Sequence, residues 1–188
     1  MIPHLLVIVG PNGSGKSSLI NNTDLNWAEK SIINPDNYAR NLPNEIDEYN
    51  RYVIAMNQCA EVRESLLSNK ASFGFETVGS REDKLEFIRK AKESGYVITL
   101  VFVTTNNPDI NIKRIAERVK LGGHSVPEEK VRSRYERTMR NLPMYLDLAD
   151  EAMVLDNSGC EPSIILTKKD GCVSGLSEAP EWIVKYFC

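Results

Sequence analysis

Apolar residues fall along the chain in short runs separated by longer stretches with helical spacing. Runs of strand length occupy Leu5–Val9, Ser31–Ile33, Ser72–Phe75, Val97–Val103, Ala152–Leu155 and Ile164–Thr167. Between Asn44 and Ser68, Ile46, Tyr49, Val53, Met56 and Ala60 recur at helical intervals with no charge on the stripe, which predicts one long or two short amphipathic helices. Glu82–Glu93 carries Leu85, Ile88 and Ala91 three residues apart, with Gly95 just past its end, and predicts another helix. Short buried strands alternating with helices imply an α/β fold: three layers around a mostly parallel sheet. Lys169-Asp170-Gly171 between Ile164–Thr167 and Cys172–Val173 predicts an antiparallel C-terminal hairpin, followed by a closing helix over Glu178–Phe187.

Length and composition keep the picture to one domain, residues 1–188. The chain is 41% apolar and 26% charged with a net charge of −3. That balance argues against a general nucleic-acid binder, whose domain is usually basic. Cys59, Cys160, Cys172 and Cys188 have no Cys-x-x-Cys spacing and lie far in sequence from His4 and His124, so a zinc site is not expected. The first apolar run has no basic residues before it and soon gives way to a glycine-rich loop. No run approaches the roughly 18 apolar residues of a membrane span. The expectation is a cytoplasmic protein with free thiols.

That glycine-rich loop carries the strongest chemical signal. Gly10-Pro11-Asn12-Gly13-Ser14-Gly15-Lys16-Ser17, followed by Ser18, matches G-x-x-x-x-G-K-S/T without substitution. It stands between a strand and a helix that begins near Leu19-Ile20, as a phosphate loop must. The glycines let backbone N–H groups converge on phosphate oxygens, and the helix N-terminus adds its positive dipole end. Lys16 reaches the β and γ phosphates, and the Ser17 hydroxyl ligates Mg²⁺. Binding of ATP or GTP follows. Switch and base-selective signatures of a GTPase are absent, and the chain is small for a motor ATPase. A phosphotransferase would need a carboxylate near the acceptor hydroxyl and cations over the transferred group.

Candidates for both exist. Asp36 lies just past the end of the second strand, on the sheet edge where ligands of open α/β folds bind. It reads as a base or a water-mediated Mg²⁺ contact, with a helix cap or turn aspartate as the competing reading. Glu76 and Thr77 end the third strand and read as acceptor contacts, with Arg40 carried alongside them; a structural ion pair is the alternative for Glu76. No strand ends in the aliphatic run and aspartate of a Walker B motif.

Residues 113–140 hold nine basic side chains against four acidic ones, a local +5 on a body of −8. Leu121-Gly122-Gly123-His124-Ser125-Val126-Pro127 breaks the segment into two helices, with Ser125 or Val126 as the cap of the second and Pro127 in its first turn. Arginine-bearing helices on a glycine hinge resemble a lid at about 109–142. Val131, Tyr135, Thr138 and Leu142 form the second helix's apolar stripe, bordered by Lys130, Arg134 and Arg137, with Arg134 nearest it. Arg134, and Arg118 on the preceding helix, are the candidates to neutralise a γ-phosphoryl group; a solvated basic face is the alternative. His124 reads as a loop hydrogen-bonding residue. Asp156-Asn157-Ser158-Gly159 after the fifth long run reads as the loop beside the base, with Asn157 as a nucleotide contact, or as an ordinary turn.

The phosphate loop, Asn34-Pro35-Asp36, Phe75-Glu76-Thr77, the Arg118 to Pro127 box and Arg134-Tyr135-x-Arg137 together resemble the zeta-toxin-like family of P-loop kinases, over about residues 4–160. The resemblance implies a kinase with Lys16 as phosphate lysine, Asp36 as catalytic base, Glu76 and Thr77 as acceptor contacts and Arg118 as first lid arginine. The second lid arginine falls among Arg132, Arg134 and Arg137. It also implies ATP or GTP with Mg²⁺, an acceptor such as the 3′-hydroxyl of UDP-N-acetylglucosamine, and a small antitoxin partner. Two other functions remain compatible with the residues: a kinase of a nucleoside, sugar or nucleic-acid end, and an ATP-binding switch acting on a protein.

Overall fold

In strand β1 (His4–Val9), Leu5, Val7 and Val9 pack into one core cluster while Leu6 and Ile8 pack into another. A strand's side chains alternate faces, so a continuous apolar run must be covered on both sides. The computed structural model describes residues 1–22, 32–123 and 125–187. Around β1 the sheet takes the order β2-β3-β1-β4-β5-β6-β7. The added strands are β2 (Ile32–Ile33), β3 (Phe73–Thr77), β4 (Val97–Thr104), β5 (Glu151–Asp156), β6 (Ser163–Lys169) and β7 (Cys172–Ser174). Pairing is parallel from β2 through β5 and antiparallel for β6 and β7.

The helices are α1 (Lys16–Asn22), α2 (Pro35–Arg40), α3 (Glu48–Ser68), α4 (Glu82–Glu93), α5 (Pro108–Lys120), α6 (Glu128–Leu148) and α7 (Glu181–Val184). The larger cluster joins Phe73, Phe75, Ile98, Leu100 and Phe102 of the sheet to Cys59 and Leu67 of α3, Phe87 and Ile88 of α4, and Met139, Leu142 and Leu146 of α6. The smaller joins Val101, Val103 and Leu155 to Leu19 and Ile20 of α1. The α/β/α layering expected from the sequence is thus observed.

The hairpin turns through Asp170 at φ 52° and Gly171 at φ 79°, two positive values that suit the twist of its strands. Three sequence expectations shift. The closing helix is only the single turn of α7, because Pro180 disfavours helical geometry at the residue before it. Helix α6 is capped by Pro127 itself, with no side-chain cap bond. In α3 the buried side is Ala55, Cys59, Arg63 and Leu67, whereas Tyr49 is 75% exposed and Val53 38% exposed. Small residues and an arginine face the sheet there, so hydropathy peaks on the wrong side of the helix. Ser31 of the second predicted strand and His124 lie outside the described residues.

Tyr145 is 1% exposed and its hydroxyl has no hydrogen-bond partner. Burial pushes its phenol well above the ordinary 10.0. An unfolded chain ionises this group near 10 while the fold keeps it neutral, so its contribution to stability is complete below pH 10 and is lost as pH rises beyond it. Tyr145→Phe removes an unsatisfied buried donor. We expect its melting temperature to be unchanged or higher at neutral pH and to fall less than wild type above about pH 10, read by thermal melts across that range.

Candidate active site

The chain reverses direction across the sheet at β1, with β3 on one side and β4 on the other. The carboxyl ends of these strands form the crevice in which open α/β sheets bind ligands. A cleft of about 890 Å³ opens there. Register sets its floor: Ile8 pairs with Glu76 and Val9 with Thr77, and the Gly10 N–H donates to the Thr77 carbonyl at 3.2 Å.

Sterics dictate the phosphate loop's glycines. Gly13 and Gly15 have φ of 77° and 95°, a left-handed region that costs other residues strain. A Cβ on Gly13 would lie 2.6 Å from the Asn111 carbonyl oxygen, and one on Gly10 would lie 2.0 Å from the Val103 carbonyl oxygen. The loop is braced from outside. Asn111, fully buried on α5, donates through Nδ2 to the Asn12 carbonyl at 2.7 Å and accepts from the Thr105 hydroxyl. Asn157 donates through Nδ2 to the Ser14 carbonyl at 2.8 Å, and its N–H donates to Thr104 at 2.8 Å. Asn157 therefore buttresses the loop's backbone. Asn111 was not singled out from the sequence; its only signal is a polar residue one turn before the buried Ile115 on α5.

Lys16 opens α1, and its ammonium donates to the Gly10 carbonyl at 2.7 Å and the Pro11 carbonyl at 3.1 Å, with Glu76 Oε1 at 3.8 Å. Burial lowers its pKa, opposed by the charges of Glu76 and Asp36. Ser17 Oγ donates toward both Glu76 oxygens, at 3.3 and 3.2 Å, and Asn34 Nδ2 donates to Glu76 Oε2 at 2.7 Å. Glu76 thus sits against the phosphate loop, on the side where a nucleotide's metal would lie, rather than in an ion pair with an arginine. Asn34 also caps α2, its Oδ1 accepting from the Asp36 N–H at 2.8 Å. Asp36 is therefore free of capping duty, and its exposed carboxylate lines the cleft. Thr77 lines it too, while its hydroxyl accepts from the Gly79 N–H at 3.2 Å. Arg40 ends α2 exposed and is not among the cleft-lining residues.

The basic segment divides. Arg114, Arg118, Arg134 and Arg137 line the cleft, whereas Lys113, Lys120, Lys130 and Arg140 are exposed away from it. Arg132 pairs with Asp109 at 2.5 Å, and Arg134 donates to Asn12 Oδ1 of the phosphate loop at 3.2 Å. Helix α6 is no free-standing arm. Val131, Tyr135, Thr138 and Leu142 are buried as the stripe required. The Tyr135 hydroxyl donates to Thr105 at 2.5 Å, the Thr138 hydroxyl donates to the Val78 carbonyl at 2.9 Å, and Asn141 donates to Gly79 at 3.0 Å. These bonds hold Arg134 against the cleft rim. Gly123 folds back on α5, its N–H donating to the Arg118 carbonyl at 2.9 Å, where a Cβ would lie 2.5 Å from Arg118 Cγ.

A phosphate loop leading into α1, on a sheet of this strand order, defines the class: a P-loop nucleotide-binding protein with the kinase-type fold. The chain belongs to the Zeta toxin family, whose sequence model matches residues 2–159. An uncharacterised protein of Haemophilus influenzae is 31% identical over 127 residues, covering 67% of this chain and 88% of that one. Among solved structures, the AvrRxo1-ORF1:AvrRxo1-ORF2 complex with sulphate ions matches with a TM-score of 0.75 at 18% identity, over 92% of this chain and 60% of the matched one. The PezAT chromosomal toxin-antitoxin system of Streptococcus pneumoniae matches at 0.63 and 14% identity, over 88% and 71%. At such identities these structures establish the shared fold. The chain spans about 60% of the length of the AvrRxo1 chain it matches.

Proposed function

We propose that this protein is an ATP-dependent kinase that moves the γ-phosphate to a hydroxyl of a small molecule, working in the cytoplasm. One observation carries the reading: Lys16, Asp36, Glu76, Arg118 and Arg134 come from five separate stretches of chain and line a single cleft. A phosphate loop alone would serve any nucleotide triphosphatase. A carboxylate in the same cleft as the loop, with arginines beside both, is what transfer to an alcohol needs. In this reading Asp36 accepts the acceptor's proton, and Lys16, Arg118 and Arg134 neutralise charge on the transferring group. Thr77 borders the acceptor side while Glu76 faces Ser17 and Lys16, and GTP in place of ATP is compatible with the same loop.

Mg²⁺ suits the donors present. Ser17 Oγ and the Glu76 carboxylate are hard oxygen ligands facing the cleft within 3.3 Å of each other. Among the described residues no cluster of three or more His, Cys, Asp or Glu side chains forms a metal cage. The ion would thus take most of its ligands from phosphate and water, as Mg²⁺ does. When bound it neutralises the β- and γ-phosphate oxygens. No helix among the described residues is long and apolar enough to cross a membrane.

The family supports a UDP-amino sugar as the acceptor, and the toxin-antitoxin system among the structural relatives supports a small antitoxin partner. Incubating the protein with γ-labelled ATP and a metabolite extract is expected to leave label on a third molecule. Release of label as free phosphate alone would point instead to an ATPase switch. Growth arrest on expression, relieved by co-expressing a neighbouring gene, tests the antitoxin.

A further inference from the structure

Arg63 occupies a core position on α3, 5% exposed, among Ala55, Cys59 and Leu67. Its guanidinium carbon lies 5.4 and 5.6 Å from the ring centroids of Phe75 and Phe87, which meet each other edge to face at 82°. Arginine carries five N–H donors, and buried donors are almost always bonded. Yet Nε of Arg63 has no hydrogen-bond partner, and no described carboxylate forms an ion pair with it. The nearby carboxylates are already engaged. Asp83 is held by Lys84 at 2.7 Å and by Arg81 at 3.4 Å, and Glu64 by Lys90 at 2.5 Å. Burial lowers the pKa of Arg63, the sign of a charge taken out of water without full compensation.

A structural arginine in a core is normally bound by carbonyls or a carboxylate, since leaving it unpaired is costly. Arg63 instead lines the same cleft as Asp36 and Glu76. Met56 stands two turns before it and Tyr52 three turns before it, both on the cleft wall. Lys84 and Arg81, with Asp83 paired to both, leave the adjoining wall one positive charge in excess. The two rings wall in the guanidinium and restrict its movement, which favours recognition of a phosphate or carboxylate by its forked N–H groups.

We propose that Arg63 binds an anionic group of the phosphoryl acceptor, so that the acceptor is a phosphorylated or carboxylated polyhydroxy molecule and not a neutral sugar. The inference rests on the kinase reading for the word acceptor, but the anion site itself does not. With the nucleotide side filled by Mg²⁺ and a non-hydrolysable ATP analogue, wild-type protein is expected to bind inorganic phosphate at one site by titration calorimetry. Arg63→Met should weaken that binding roughly ten- to a hundredfold, the worth of a charge-assisted hydrogen bond or two. Arg63→Lys, which keeps the charge, should retain part of the affinity. Melting temperature and affinity for the analogue should persist in both variants. Absence of phosphate binding in wild type, or equal binding in Arg63→Met, overturns the proposal.

A second arm offers γ-labelled ATP with hexoses, hexose phosphates, hexonic acids and a UDP-amino sugar. Label on a hexose phosphate or the UDP-amino sugar identifies a phosphate and label on a hexonic acid identifies a carboxylate, with KM raised and kcat held in Arg63→Met. Label on neutral hexoses alone overturns the proposal. No label on any compound, with phosphate binding still dependent on Arg63, counts against the kinase reading and upholds the anion site.

Discussion

Asp36→Asn is expected to slow phosphoryl transfer by roughly 10²–10⁴-fold, the worth of a positioned general base, while nucleotide affinity is retained. The substitution is nearly isosteric, and the local backbone does not depend on the carboxylate. Asn34 caps α2 and Pro35 opens it, so the turn that presents residue 36 survives. Single-turnover rates against fluorescence titration of the nucleotide separate the two quantities. Unchanged turnover would remove Asp36 from the chemistry. A parallel loss of Mg²⁺-nucleotide affinity would reassign it to holding the metal.

Lys16→Met should lower transfer by about 10²–10³-fold, the cost of losing one positive group aimed at developing charge, and should also weaken nucleotide binding. Its melting temperature is expected to change far less than its activity. Ser17 and Asn34 still hold the Glu76 carboxylate after the change, and the methionine fills the buried stem's space. A pH series adds a sign. The folded pKa of Lys16 lies below its ordinary 10.5, so the fold carries a desolvation penalty at lower pH that is relieved as pH climbs toward that value. Wild type should therefore gain stability relative to Lys16→Met on the alkaline side. A difference that moves the other way would mean that the pair with Glu76, and not burial, dominates the site.

Much of this site was legible in one dimension because its parts are local. The phosphate loop is eight consecutive residues whose spacing is set by backbone geometry, and its flanking strand and helix are read from the same stretch. Glu82–Glu93 was read to the residue, since its buried Leu85, Ile88 and Ala91 are all apolar. Two of the misreadings trace to tertiary packing. On α3 the side that faces the sheet carries Arg63, and a guanidinium lodged between two phenyl rings counts as polar in any hydropathy pattern while behaving as core. Arg132, Arg134 and Arg137 lie within six residues on one helix, and only tertiary contacts tell them apart, with Arg134 and Arg137 both lining the cleft. Asp109 of α5 takes Arg132, and Asn12 of the phosphate loop receives Arg134.

The sequence by itself determined the α/β class, the phosphate loop with Lys16 and Ser17, the hairpin at Asp170-Gly171 and the carboxylates at strand ends, because each follows from residues within a few positions of one another. Only the tertiary structure decided that Glu76 turns toward Ser17 and Lys16, that Arg40 stays outside the cleft, that Asn111 and Asn157 clamp the loop, and that α6 is cemented into the core. Those outcomes depend on contacts between residues dozens of positions apart, up to 143 for Asn157 and Ser14. Such pairings are set by how the sheet orders its strands, which no local pattern of residues specifies.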